Sequence, residues 1–280
     1  MGRIGSEIPL DHYCEVVRRA EGRDRIVVNG GEPLLHPDIV PLLTRSKETG
    51  AQVVLFTNGT LLSDHDFCDR ILRTGIDRIT IPIHGGRGLH DETTGVSGSF
   101  DKVMVALKSL LARDGGPEIE LKFIVTKSMV EQGFSIPEFV KSLPNADRLG
   151  GLVITGQVNT RVSHGNGFDF VQTPLIGEYL SDSVLALAGS FRIKLFDVKL
   201  CKMTREFDRW LQSLTEIGEE PEYECKFFDA KCKSPHLLRY GSTQRDLECS
   251  NCKKRHYCRS VLEGCVVMEI SKNSKSVVLE

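Results

Sequence analysis

Two groups of residues in this 280-residue sequence have the types and spacing for chemistry. The first is Gly30-Gly31-Glu32-Pro33, which follows the apolar run 26–28. In parallel α/β sheets ligands collect at the C-terminal ends of strands. Two glycines let a ligand approach bare main chain, and Glu32 adds an acceptor. Such a corner suits an ammonium better than a phosphate; the plainer reading is a tight turn with a solvated Glu. The next two apolar runs end in Thr57-Asn58-Gly59-Thr60 and Ile83-His84-Gly85-Gly86. Turn chemistry accounts for each alone, but three such corners at successive strand ends predict a shared ligand site. The second group is a set of cysteines. Of nine in the chain, seven lie beyond residue 200: Cys201, Cys225, Cys232, Cys249, Cys252, Cys258 and Cys265. Cys249, Cys252 and Cys258 form C-x2-C-x5-C, in which two thiolates bite one metal and a third and fourth complete the set. The pattern points to a metal and leaves open whether it is zinc or iron–sulfur. Lys253, Lys254 and Arg255 inside that loop would offset thiolate charge, or are a solvated turn.

The elements that must position these residues are legible as alternating patterns. Val- and Ile-rich runs at 25–29, 52–57, 78–84, 120–126 and 152–155 are each followed by a helical periodicity, at 39–49, 63–74, 100–112, 136–143 and 175–188. Repeated βα units predict a parallel sheet. Asp38, Ser63 and Ser99 stand where helix N-termini are expected. A helix over 10–20 precedes the first run, so the unit lacks its opening strand. After residue 189 the pattern changes: 191–200 alternates like a strand, 208–216 looks helical, and the cysteine-rich tail follows. This divides the chain into 1–189 and 190–280. Trp210, with Phe207 and Leu211, reads as packing.

The totals exclude several classes. A net charge of −2 gives no field that would draw in nucleic acid or an anionic membrane. No apolar run approaches a spanning helix, and MGRIGSEIPLDHY has no signal-peptide core. The cytoplasm is expected, where crowded cysteines suggest metal more than disulfides.

GGEPLLHPDI, LFTNGTLL, HDETTGVSGSFDKVMVALKSLL and LKFIVTK, in this order, resemble the radical S-adenosylmethionine (SAM) superfamily. The resemblance runs from about residue 10 to 270. It implies an α/β fold, a partial (β/α)6 TIM-like barrel here lacking its first strand. It also implies that Gly30, Gly31, Glu32 and Pro33 hold the methionyl amine of SAM, with Thr57, Asn58 and Gly59 at the next strand end. His84, a looser match, would face the ribose. Family members carry CxxxCxxC after the first strand, whose thiolates bind a [4Fe-4S] cluster that cleaves SAM to a 5′-deoxyadenosyl radical. This sequence contains no CxxxCxxC. Cys14 and Cys68 are isolated and read as buried, inert thiols. Two expectations compete: the sequence is truncated, which its abrupt start favours, or it is a paralogue that lost the cluster. As written, it should not cleave SAM.

The same resemblance tips the tail toward iron–sulfur. It is similar to SPASM/Twitch extensions, which implies one auxiliary [4Fe-4S] cluster on Cys201, Cys249, Cys252 and Cys258, with zinc as the alternative. Cys258 to Cys265 is spaced more widely than that pattern, leaving a second cluster on Cys225, Cys232 and Cys265 open. A peptide or small-molecule substrate and an electron donor such as ferredoxin or flavodoxin are the implied partners. The competing class is a non-catalytic SAM- or peptide-binding paralogue with a structural metal. Smaller candidates are Ser163-His164-Gly165-Asn166, as a substrate contact or a surface loop, and His90-Asp91, as ligand-positioning residues or a helix-entry turn.

Overall fold

In the computed structural model the described residues are 14, 17–18, 25–156, 174–196, 198, 203–207 and 209, with the backbone of 268–270 and 277–279. Strands follow one another in the sheet in chain order. The first six are parallel and separated by helices, which is the α/β class of a partial TIM-like barrel. Contacts divide the chain into two units: 1–83 with 90–121 and 143–150, and 84–89 with 122–142 and 151–280.

In the first unit β1 (Arg25–Val28) pairs with β2 (Gln52–Phe56), and β2 with β3 (Arg78–Ile83), all parallel. Between them lie α1 (Ile39–Glu48) and α2 (His65–Leu72). Alternation decides which side chains the helices cover. Val53, Leu55, Ile79 and Ile81 are fully buried with Leu43, Ile71 and Leu107, and their burial drives the sheet to collect its helices. Asp77, just before β3, ties α1 to the sheet. Its carboxylate accepts from Lys47 Nζ at 2.6 Å and from the Val53 amide at 2.6 Å. The opposite face of β3 is polar and still buried. Arg78 donates to Glu118 at 2.7 Å, and Thr80 Oγ1 to the 3%-exposed Glu120 at 3.3 Å. Buried charges persist only when paired and hydrogen-bonded, as these are.

Helix entries differ from the sequence expectation at three places. Asp38 makes no side-chain cap; instead His36 Nδ1 accepts from the Asp38 amide at 3.1 Å. The second helix is capped by Asp64, not Ser63, with Oδ1 accepting from the Phe67 amide at 2.8 Å. At α4 (Ser99–Leu111) the cap position is Gly98, and the capping carboxylate comes from Asp91. Asp91 accepts from the amides of Gly98 (2.6 Å) and Phe100 (2.8 Å) and from Ser99 Oγ (2.9 Å). Asp91 lies in a short helix absent from the sequence expectation, α3 (Arg87–Thr94). At the other end of α4, Arg148 Nη1 donates to the carbonyl of Leu111, one of the acceptors a helix C-terminus leaves open, and to that of Arg113 just beyond the helix.

The second unit contains the end of β4 (Glu118–Ile124), α5 (Lys127–Glu131), α6 (Ile136–Ser142), most of β5 (Leu149–Thr155), α7 (Pro174–Leu187) and β6 (Ile193–Phe196). β5 and β6 are parallel; β7 (Met268–Ile270) and β8 (Val277–Leu279) continue antiparallel. Gly151 lets β6 close on β5, since a Cβ there would sit 2.9 Å from the Arg192 carbonyl. Phe123 meets the rings of Phe134 and Phe139 at 6.5 and 6.1 Å, so that side of β4 faces α6. Tyr179 on α7 donates to the Phe134 carbonyl at 2.8 Å, and burial pushes its pKa up to about 12. Most of the expected second domain, 190–280, including Trp210, lies outside the described residues.

Candidate functional site

The first two glycine corners are one object. Pro33–Leu35 form a short 3-10 turn after β1, and Glu32 is its N-cap. The Glu32 carboxylate does not point to solvent. Oε1 accepts from the Leu34 amide at 3.0 Å and from Thr57 Oγ1 at 2.7 Å, and Oε2 from the Asn58 amide at 2.7 Å. Thr57, only 3% exposed, uses the other side of its hydroxyl to accept from the Gly59 amide at 3.0 Å. Asn58 Oδ1 accepts from the Thr60 amide at 2.9 Å and Thr60 Oγ1 at 2.7 Å. GGEP and TNG are thus held together by a single carboxylate across 25 positions of sequence. A carboxylate offers about four lone-pair sites. Three are taken, and the fourth is on Oε2.

The glycines on either side differ in cause. Gly59 has φ +76, and a Cβ there would press on Ile81 at 3.2 Å, so the fold itself requires glycine. Gly30 and Gly31 have neither constraint. Both lie outside the left-handed region, and a Cβ at either would meet nothing within 4 Å. Both are exposed, beside a half-buried Glu32. Local packing therefore does not explain them, and bare main chain beside an anchored acid remains. That arrangement fits a ligand carrying a primary ammonium: one charge-assisted bond to Oε2, with uncovered backbone beside it.

The third corner belongs to the second unit. His84, half-buried, follows β3, and Gly85 has φ +127 with Leu89 Cδ2 at 2.8 Å from its would-be Cβ. Gly85 is therefore a glycine the turn demands. His90 is 2% exposed and packs edge-on against Phe100 at 5.6 Å; burial lowers its pKa against the pull of Asp91. With Asp91 spent on α4, this pair is a helix entry. The bridging role of Glu32 was not visible in the sequence, because nothing in a linear pattern pairs residue 32 with 57 and 58.

The described residues offer no ligand set for a SAM-binding cluster. Among the described residues no three His, Cys, Asp or Glu are grouped to hold a metal ion. Cys68 is fully buried on α2, and burial pushes its thiol pKa up; Cys14 is half-buried. Neither makes a thiolate ligand set. Cys201, Cys225, Cys232, Cys249, Cys252, Cys258 and Cys265, and the loop from Ser163 to Asn166, lie outside the described residues.

Comparison with known proteins agrees with this fold. Residues 3–125 match the family model described as the radical SAM superfamily. An AdoMet-dependent heme synthase of Methanosarcina barkeri is 28% identical over 133 residues, 47% of this chain and 37% of that protein. A probable GTP 3',8-cyclase of Saccharolobus solfataricus is 33% identical over 129 residues, 45% of this chain and 41% of that protein. The chain thus spans about two-fifths of the length of these curated relatives. Among solved structures, native anSMEcpe with bound AdoMet and Kp18Cys peptide superposes with a TM-score of 0.53 at 15% identity. That match covers 78% of this chain and 60% of the other. Streptococcus suis SuiB gives 0.51 at 18% identity, covering 64% and 41%. At such identities the structures attest the fold alone. Family match, sequence relatives and fold agree: residues 3–125 of the chain are similar to the radical SAM superfamily, whose members use SAM and a [4Fe-4S] cluster.

Proposed function

We propose that this chain binds SAM by its methionyl amine at Gly30, Gly31 and Glu32, with Thr57 and Asn58 fixing the carboxylate and Gly59 holding Thr57. The observation that carries this is Glu32 anchored by three donors beside two glycines that packing does not require. Pro33 starts the turn that directs the Leu34 amide at Glu32, and His84 is the proposed contact to the ribose. The anchoring supports a preorganised acceptor, since the acid spends no rotamer freedom when the amine arrives.

The chemistry we infer is that of a SPASM/Twitch-type radical SAM enzyme, divided as 1–189 and 190–280. When bound, SAM and its cluster supply a 5′-deoxyadenosyl radical that abstracts a substrate hydrogen. The cysteine tail (Cys201, Cys249, Cys252, Cys258) is proposed to hold an auxiliary [4Fe-4S] cluster, with zinc as the alternative. A peptide or small-molecule substrate follows from the range of matched proteins: SuiB is described bound to its precursor peptide SuiA, whereas other relatives are named for heme and GTP. The electron donor proposed is a ferredoxin or flavodoxin, in the cytoplasm.

One observation favours a second reading. The sequence contains no CxxxCxxC, which suits a SAM- or peptide-binding paralogue with a structural metal. Anaerobic reconstitution of the full chain with iron and sulfide, followed by dithionite and SAM, separates the two. The sequence as written is expected to bind SAM and to take up iron–sulfur through its tail without forming 5′-deoxyadenosine. Absence of SAM binding overturns the enzyme reading and leaves of the second only a peptide-binding paralogue; a tail loaded only with zinc overturns the auxiliary cluster.

A further inference from the structure

The second unit carries a polar constellation that neither the amine cradle nor the cysteine tail uses. Among the described residues its strands have one face against helices. On the helix face Phe123 contacts Phe139 of α6, and Leu152, Ile154, Ile193 and Leu195 are fully buried. Lys122 and Ile124, Val153 and Thr155, and Lys194 and Phe196 point the other way, by strand alternation.

Register sets these six in two rows. Val153 pairs with Lys194 and Thr155 with Phe196. The Leu152 amide donates to the Arg192 carbonyl, and by the same offset the Val125 amide donates to the Thr155 carbonyl at 2.9 Å. Lys122 therefore stands beside Val153, and Ile124 beside Thr155. One row is lysine, valine, lysine; the next, toward the strand C-termini, is isoleucine, threonine, phenylalanine.

Thr155 is the informative residue. It is 4% exposed, and its Oγ1 is buried with no hydrogen-bond partner among the described residues. The side chains of its neighbours in register, Ile124 and Phe196, have no polar atoms to offer. Buried hydroxyls are seldom left unsatisfied, and an orphan calls for a specific cause such as an absent ligand. Below it, Lys122 and Lys194 stand two strands apart, about 10 Å from strand to strand. An anion placed between them would draw on both charges. Lys194 also pairs with Glu269 in the antiparallel backbone register.

We propose that Lys122, Lys194 and the Thr155 hydroxyl form a subsite for an organic anion, its carboxylate or phosphate over Val153 and its apolar body against Ile124 and Phe196. The inference depends on the function proposed above only in regarding this anion as part of the substrate. It narrows the substrate class to acidic molecules, a bias that the chain's net charge of −2 does not reveal.

Calorimetric titration of the full chain with citrate and, separately, tripolyphosphate tests this. Saturable binding of either is expected, and the tighter of the two identifies the acid as carboxylate or phosphate. Lys122→Met and Lys194→Met should each weaken it roughly tenfold or more, as loss of a charge-assisted bond does. Thr155→Val should weaken it a few-fold, while Lys127→Met, at an exposed lysine paired with Glu131, should not. Binding of neither probe, or equal weakening by Lys127→Met, overturns the proposal. Should the variants fail to fold, reductive methylation of the native chain supplies the answer. Saturating probe should slow modification of Lys122 and Lys194 but not Lys127; unchanged rates at both overturn the subsite. A parallel SAM titration keeps the claims apart. Anion binding without SAM binding sinks the proposed function and leaves the subsite, and the reverse result sinks the subsite alone.

Discussion

Glu32 carries two jobs on one carboxylate. Three donors fix it, and the last acceptor position on Oε2 is the one offered to a ligand. Thr57→Val separates these jobs. It removes the donor to Oε1 and the acceptor for the Gly59 amide while keeping shape and charge. Chemical denaturation should show a loss of about 1–3 kcal/mol, the cost of unmade buried hydrogen bonds, and SAM affinity should fall only a few-fold. An unchanged stability would mean that the bridge is not formed. Cys68 makes the opposite case, a thiol without chemistry. Burial raises its pKa and keeps it protonated. Site-resolved mass spectrometry after alkylation should find Cys68 unmodified in the folded chain and modified in denaturant; ready labelling under native conditions would contradict its place on α2.

At the level of elements, what was legible was what repeats. The βα alternation, the parallel sheet and the main helices follow from apolar periodicity, and α1 and α4 fall within a residue of their expected ends. What escaped was short or non-local. The five-residue α5 is too brief for a periodic pattern, and α3 hides in a polar stretch whose Asp91 caps another helix seven residues on. The GGEP and TNG corners could be read singly as turns or ligand contacts; their junction through Glu32 could not, because it is a tertiary fact. Two substitutions test the elements themselves. Phe123→Ala empties the aromatic cluster with Phe134 and Phe139 and should cost about 3–5 kcal/mol in urea unfolding. Asp64→Ala removes the cap on the Phe67 amide and should cost about 1 kcal/mol. If the two losses are equal, the core assignment of Phe123 is wrong.

For the whole chain, the ionisable groups point to acid sensitivity. Hydrogen bonds from the Phe100 and Gly98 amides hold the Asp91 carboxyl below its ordinary range. Burial opposes the charge of Asp77, but the Lys47 hydrogen bond, the Val53 amide and the charges of Lys47 and Arg78 together lower it. Burial lowers His90. In all three the unfolded state binds protons more readily, so stability rises with pH through each window. The His90 contribution should fade as pH falls below about 6.5, and the Asp77 and Asp91 contributions below about 4. Thermal melts from pH 8 to pH 3 should therefore show Tm falling in two stages; a Tm that rises on acidification would contradict these assignments. Among the described residues no helix is long and apolar enough to cross a membrane.

The central claim is that an anchored acid beside bare backbone receives the amine of SAM. Calorimetry of SAM against the native chain and Glu32→Gln tests it most directly. The account predicts saturable binding to the native chain and at least roughly tenfold weaker binding to the variant, the worth of one charge-assisted hydrogen bond. Equal affinity of a folded Glu32→Gln chain for SAM would contradict it.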